Sequence, residues 1–296
     1  MNIFIAGASG FVGGHLIDAL LKNGYKLRCL ARSEKARSLF KEKGVEAVSG
    51  DITIPETLEG ALNGIDFVIH LVGIIEEKGS ATFEEVHVKG TANLVIAAKK
   101  AGVKHFFYQS ALGANRSSWS GYLKTKAEAE ELVKASRIPF TIFRPSLIIG
   151  PWDGFTKRLR DLIKISPVIP IPGSGKSRLQ PIYIKDWVKC LLKALASPDS
   201  FQKIYEIGGP QRLTYTEIVK TLAAAMKTKK PVIHMPMGLL KFGAFVAEKT
   251  VPFLPVSSEQ LKLLETDNIC DIDSVEKNFG FRPVKYKDAL NEFLQT

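Results

Sequence analysis

The sequence predicts an α/β protein built on a doubly wound parallel sheet. Three observations carry that expectation. Short apolar runs alternate with longer amphipathic stretches through the first half of the chain. The first run ends in a glycine turn that opens directly into a helical pattern. The 296 residues are 45% hydrophobic and 24% charged, which allows an ample core in one or two domains.

Taken in order, Asn2–Ala6 reads as a buried strand and Gly13–Lys22 as a helix, joined by Gly7-Ala8-Ser9-Gly10-Phe11-Val12-Gly13. Glycines spaced three apart between a strand and a helix let the backbone approach a pyrophosphate. The free amides and dipole of the helix N-terminus favour its charge. Lys26–Leu30 predicts the second strand and Ser33–Lys43 its helix. Val45–Val48 predicts the third strand, followed by a short helix near Pro55–Leu62. Asp66–Leu71 predicts a strand, then a loop and one long helix, Phe83–Ala101. Strands at Lys104–Ser110 and Phe140–Arg144 flank a helix carrying Tyr122. Ligand groups gather at the carboxyl ends of such strands, where Gly7 and Ser110 both fall.

Beyond Gly150 the pattern loosens. Pro167, Pro170, Pro172, Gly173 and Gly175 mark a loop, and Trp187–Ala196 predicts a helix. Ile204–Gly208 reads as a strand before the helix Thr214–Met226. Gly173-Ser174-Gly175-Lys176-Ser177 imitates a phosphate loop, but the first glycine of that motif would fall on Pro170. Met235–Pro255 reads as an amphipathic helix, broken by Lys241, Glu248, Lys249 and prolines and too interrupted to span a bilayer.

The chemistry lies in a few side chains. Tyr122 and Lys126, four apart, share one helix face. An ammonium so placed is expected to lower the phenol from about 10 toward the working pH. Such a phenol can exchange a proton with a substrate oxygen that the Ser110 hydroxyl holds. At the end of the second strand, Ala31 stands where an NAD enzyme carries an acid. Arg32 and Ser33 follow, with Lys35 and Arg37 close behind. A guanidinium and a hydroxyl suit a 2′-phosphate, so NADP is the expected cofactor and NAD the alternative. Covering the adenine face is the plainer role for Arg32.

With those residues in view, the chain resembles the extended and atypical short-chain dehydrogenase/reductases, of the NAD-dependent epimerase/dehydratase kind. The resemblance rests on the glycine turn, Ser110 and Tyr122-x-x-x-Lys126. It is reinforced by Asp51-Ile52, His70-Leu71-Val72-Gly73, Gly90-Thr91-x-Asn93-Leu94 and Arg144-Pro145-x-x-x-x-Gly150-Pro151. Toward the C-terminus, Leu261–Ile269 with Thr266-Asp267-Asn268, and Phe279-Gly280-x-Arg282-Pro283, are similar to one subgroup. That subgroup contains the NAD(P)H-binding accessory subunit of respiratory complex I.

The resemblance implies a Rossmann domain over residues 1–150. Residues 151–296 would form a smaller α/β substrate-covering domain, with segments crossing back to the first. It also implies hydride transfer, with Tyr122 as general acid/base, Lys126 bonding the nicotinamide ribose and Ser110 polarising a carbonyl or alcohol. The implied cofactor contacts are Gly7, Ser9, Gly10, Phe11, Val12, Gly13, Arg32, Ser33, Asp51, Ile52, Leu71, Val72, Gly73, Tyr122, Lys126 and the backbone after Pro145. Asp51 equally suits a cap on the next turn. One departure is His87, which stands where extended relatives often carry Asn. It is expected to pack near the site, not to relay protons.

Three scattered cysteines, Cys29, Cys190 and Cys270, suit a reducing, cytoplasmic compartment. His15, His70, His105 and His234 show no ligand spacing, so no metal is expected. The net charge of +11 admits an anionic partner. The basic residues are interleaved with acids, however, and no nucleic-acid module is visible. Lys157, Arg158, Arg160 and Arg178 read as solvated charge. A strand and turn open the chain, so neither a signal peptide nor a transmembrane segment is expected; peripheral contact at an inner membrane face stays open. The expected partner is an unidentified small-molecule substrate, and no pattern encodes an oligomeric state.

Three functions compete. The first is an NADP-dependent oxidoreductase acting on a carbonyl or secondary alcohol. The second is a protein that binds NAD(P)H without turnover, for structure, sensing or assembly. The third, a sugar-nucleotide epimerase or dehydratase, is disfavoured by Ala31-Arg32.

Overall fold

The computed structural model describes residues 1–236, 238 and 262–294. They form two compact units by contact: Met1–Pro145 with Val188–Glu206, and Ser146–Trp187 with Ile207–Thr296.

The first unit is built on a seven-stranded sheet, and its central strand shows why. β1 (Asn2–Ala6) is fully buried from Ile3 to Ala6. A strand buried on both faces reads as a continuous apolar run, which marks a parallel sheet under helices. β2 (Lys26–Ala31) and β4 (Phe67–His70) flank it in parallel, placing Cys29 and Ile69 on either side of Ile5. With β3 (Glu46–Ser49), β5 (His105–Gln109), β6 (Phe140–Pro145) and β11 (Lys203–Ile207), the order is β11-β6-β5-β4-β1-β2-β3. The order reverses direction at β1/β4, the switch point where such sheets bind ligands.

The helices α1 (Phe11–Lys22), α2 (Glu34–Glu42), α3 (Gly90–Lys100) and α4 (Gly121–Ala135) connect these strands. Leu94, Ala98, Ala129 and Val133 pack with Phe4, Val68, Phe106 and Tyr108 in the core. Boundaries otherwise agree with the sequence reading to within a few residues, with two exceptions. The expected helix Phe83–Ala101 is a π-helical turn, Glu84–Lys89, followed by α3. The wide turn is a side-chain packing event that a 3.6-residue period does not report. The segment near Pro55 is a 3₁₀ turn, Pro55–Leu58, and does not reach Leu62 as a helix.

In the second unit β7 (Ile148–Ile149) pairs with β10 (Ile182–Tyr183), and β9 (Arg178–Leu179) with β12 (Leu213–Thr214). The proline-rich loop expected near Pro170 is instead a strand, β8 (Ile169–Pro172), parallel to β13 (Val232–Met235). Alternation explains it. Ile169 and Gly173 donate to Pro231 and Met235, while the prolines occupy positions that need no donor. α5 (Gly154–Ile165) starts at Asp153, which caps Thr156, α6 (Ile184–Ala196) follows β10, and α7 (Tyr215–Ala225) starts in a Thr214–Glu217 capping box. Of the expected helix Met235–Pro255, residues 237 and 239–255 lie outside the described residues. No helix of the described residues is long and apolar enough to cross a membrane.

Candidate nucleotide and proton-transfer site

The glycine turn is dictated by contact. Gly7 has φ +92°, and a Cβ on it would lie 2.9 Å from Leu71 C and Val72 N. A Cβ on Gly13 would meet Ala8 Cα at 2.6 Å and overlap Gly7 O. Neither position admits a side chain. Gly10 donates to Gly7 O at 3.1 Å and is the N-cap of α1. No side chain caps that end and no acid lies in its first turn, so the leading amides are left to an anion.

A cavity of about 330 Å³ opens above the turn, lined by Gly7, Ser9, Gly10, Leu30, Arg32, Asp51, Ile52, Thr53, Leu71, Val72, Gly73 and Val86. It gathers most of the expected cofactor residues. Phe11, Val12 and Gly13 instead form the first turn of α1, where Phe11 meets His15 edge-on at 5.4 Å, and Pro145 ends β6. Leu30, Thr53 and Val86 were not anticipated; their only sequence signal is adjacency to Ala31, Ile52 and His87. Asn93 belongs to the Gly90-Thr91-x-Asn93-Leu94 stretch. Its Nδ2 donates to Ile52 O at 2.8 Å and pins that wall. Asp51 caps its own turn, Oδ1 accepting from Thr53 N and Thr53 Oγ1 at 2.9 Å each, while Oδ2 lies 3.7 Å from Arg32 Nη1.

A second cavity, about 450 Å³, lies at the end of β2 between Arg32, Ser33, Glu34, Arg37, Ser49, Gly50 and Asp51, among others. Ser33 caps α2 by accepting from Ala36 N at 3.2 Å. Arg37 donates to Ser49 Oγ at 2.7 Å and pairs with Glu34. Two guanidiniums thus border a hydroxyl. The glycine cradle and these donors fit a nicotinamide dinucleotide.

The chemical residues stand on β5 and α4. Ser110 follows β5 and its N–H donates to Phe143 O at 2.8 Å, yet its Oγ is buried with no partner. An orphaned buried hydroxyl costs about 1–3 kcal/mol, which a ligand oxygen would relieve. Tyr122 is half-buried, edge-on to Phe83 at 5.9 Å and to His87 at 5.6 Å. Lys126 is buried. Its Nζ donates to Gln109 O at 2.6 Å and lies 4.4 Å from the centre of the Tyr108 ring.

The expected lowering of the phenol does not occur. Burial pushes Tyr122 up to about 12 and takes Lys126 down to about 7, with Glu130 partly offsetting the latter. Desolvation disfavours the charged form of each group. One turn on from Lys126, Glu130 is buried and clasped by Arg144, whose Nε and Nη2 donate at 2.8 and 2.6 Å.

Comparison with known proteins extends this picture. Residues 1–250 match the NmrA-like family. A ceramide reductase of Caulobacter vibrioides (strain NA1000 / CB15N) is 33% identical over 247 residues, covering 82% of this chain and 77% of the relative. The mitochondrial NADH dehydrogenase (ubiquinone) 1 alpha subcomplex subunit 9 of Arabidopsis thaliana is 29% identical, covering 98% of this chain and 76% of the relative. Among solved structures, the dTDP-glucose 4,6-dehydratase DesIV of Streptomyces venezuelae, with NAD bound, superposes with a TM-score of 0.78 at 21% identity. That match spans 100% of this chain and 96% of the other, and shows the shared fold. A family match over so much of the chain, on a Rossmann sheet with its glycine cradle intact, makes this chain a member of the NmrA-like family, NAD(P)-binding proteins of the extended short-chain dehydrogenase/reductase type.

Proposed function

We propose that this chain is an NADP-dependent oxidoreductase that exchanges hydride with a carbonyl or secondary alcohol. The observation that carries the reading is the buried, unpartnered Ser110 Oγ. It follows the carboxyl end of β5, on the same sheet edge as the glycine cradle. When bound, the nicotinamide supplies the hydride donor or acceptor; the remaining tasks fall to the protein. Gly7, Gly10 and the first amides of α1 hold the pyrophosphate. Arg32 and Ser33 hold the 2′-phosphate, and Arg37 joins them by leaving Glu34. NAD stays the alternative, since Arg32 already has a partner in Asp51.

Ser110 Oγ donates to the substrate oxygen and fixes its position. Tyr122 gives a proton to that oxygen in reduction and takes it back in oxidation. Lys126, near 7, gains or loses its own proton at little cost around neutrality. In its charged form it favours the phenolate. The name of the Caulobacter relative supports the reductive direction.

The test is loss of NADPH absorbance against a panel of aldehydes and ketones, long-chain lipid ketones included, with NADH run in parallel. Consumption of NADPH ahead of NADH is the expected result. Tight NADPH binding without consumption by any member of the panel would reject the reading.

A second reading is then favoured: a protein that binds NAD(P)H without turnover, in the assembly or structure of a membrane-linked respiratory complex. One observation supports it, a phenol pushed up to about 12 beside a lysine engaged by Gln109 O. The plant complex I relative is in keeping with it. A cytoplasmic location, with peripheral contact at an inner membrane face, belongs with this reading. For an epimerase or dehydratase, Ala31 lacks the acid that holds NAD tightly.

A further inference from the structure

His87 is completely buried, and both of its ring nitrogens are in use. The Ile74 amide donates to Nε2 at 3.1 Å. A ring nitrogen that accepts a hydrogen bond carries no proton, so the single proton of the neutral ring sits on Nδ1. Nδ1 lies 3.0 Å from Thr125 Oγ1. Thr125 donates its own proton to Gly121 O at 2.7 Å, which leaves its lone pairs to accept from the ring. Donation therefore runs one way, from Ile74 through His87 and Thr125 to the first turn of α4.

Both ends of this chain of bonds bear on the site. Ile74 follows Gly73, a wall residue of the cavity above the glycine turn. Thr125 stands between Tyr122 and Lys126. A Cβ on Gly73 would lie 3.5 Å from His87 Nε2 and 3.6 Å from Lys126 Nζ, so the wall lies directly against both groups. Phe83 stacks on the imidazole at 5.5 Å, and Tyr122 meets it edge-on. The π-helical turn Glu84–Lys89 carries His87 to this position.

We infer that His87 is a positioning residue: a neutral strut that ties the Gly73–Ile74 wall of the nucleotide cavity to the turn of α4 bearing Tyr122 and Lys126. A proton relay through the ring is incompatible with that role. Protonating Nε2 would set an N–H against the Ile74 N–H and break the strut. The consequence for cofactor affinity rests on the nucleotide reading given above; the strut itself does not.

The test therefore begins with the free full-length protein. Nitrogen-15 NMR of the imidazole should show Nδ1 protonated and Nε2 bare, unchanged between about pH 5 and pH 8. The Ile74 amide should be protected from hydrogen exchange. His87→Ala should release it by about tenfold or more. His87→Gln, whose amide oxygen reaches the Nε2 position, should retain that protection. His87→Asn, which reaches only the Nδ1 position, should lose it. All three variants should bind NADPH more weakly, His87→Ala by about tenfold.

A proton on Nε2, or an Ile74 amide that exchanges equally fast with and without the imidazole, would overturn the strut. If the NMR and exchange results hold while the parent fails to bind NADPH, the cofactor reading fails and the strut stands.

Discussion

Lys126 is where this site carries its electrostatic cost. Its folded pKa is about 7, against an ordinary 10.5. Below pH 7 both folded and unfolded chains hold the proton, and the folded state bears the full cost of a buried ammonium. Between 7 and 10.5 the unfolded chain binds more protons, so this group's contribution to stability rises with pH. Lys126→Met is therefore expected to melt above the parent at pH values below 7. The gap should narrow as the pH climbs toward 10.5, while activity is lost. Thermal melts across that range check it, and a gap independent of pH would refute it. Ser110→Ala should behave differently. Its Oγ leaves no partner behind and its removal relieves an unsatisfied buried hydroxyl, so the variant should be more stable than the parent by about 1–3 kcal/mol. Turnover should fall by about 10²-fold, read from steady-state rates beside urea melts. Ser110, Tyr122 and Lys126 were legible only behind the glycine turn and through the family resemblance; their spacing alone is weak. The partners of Lys126 were not, because Gln109 O and the Tyr108 ring reach it from another element.

At the scale of elements, the glycine turn and the α4–β6 clasp bind the first unit most tightly to its sequence. Gly13→Ala would press a methyl into Ala8 and Gly7. It should cost about 1–3 kcal/mol in urea unfolding and abolish nucleotide binding. Arg144→Ala would strip a buried Glu130 of its bidentate partner and should cost about 3–5 kcal/mol by the same measurement. An Arg144→Ala protein as stable as the parent would mean that the Arg144–Glu130 clasp does not hold the fold. Strands such as β1 were legible because continuous apolar runs leave little choice in a parallel sheet. The π-helical turn was not, since the packing of Ile52 against Gly90 leaves no periodic trace in the sequence. β8 was misread for a related reason: its prolines suggested a loop, and only pairing with β13 reveals that their missing donors face no acceptor.

Over the whole molecule, the strand order and its switch point place the cradle, the Arg32 cavity and Ser110 along one sheet edge. The first unit could be read almost strand by strand. In the second unit, two-residue strands such as β7 and β12 are set by tertiary pairing and have no pattern of their own. Cofactor choice belongs to this scale because it draws on β2, α2 and the loop after β3 together. Arg32→Ala should weaken NADPH binding by about tenfold or more and leave NADH binding nearly unchanged. Equal losses for the two nucleotides, measured by fluorescence titration, would assign Arg32 to the adenine face instead.

The most direct test of the central claim is Tyr122→Phe, with NADPH affinity and single-turnover reduction of an accepted carbonyl measured side by side. The phenol is proposed as the proton donor to the substrate oxygen, so affinity should stay within about twofold while reduction falls by about 10²-fold or more. A variant that reduced the same carbonyl at the parent's rate would contradict the account.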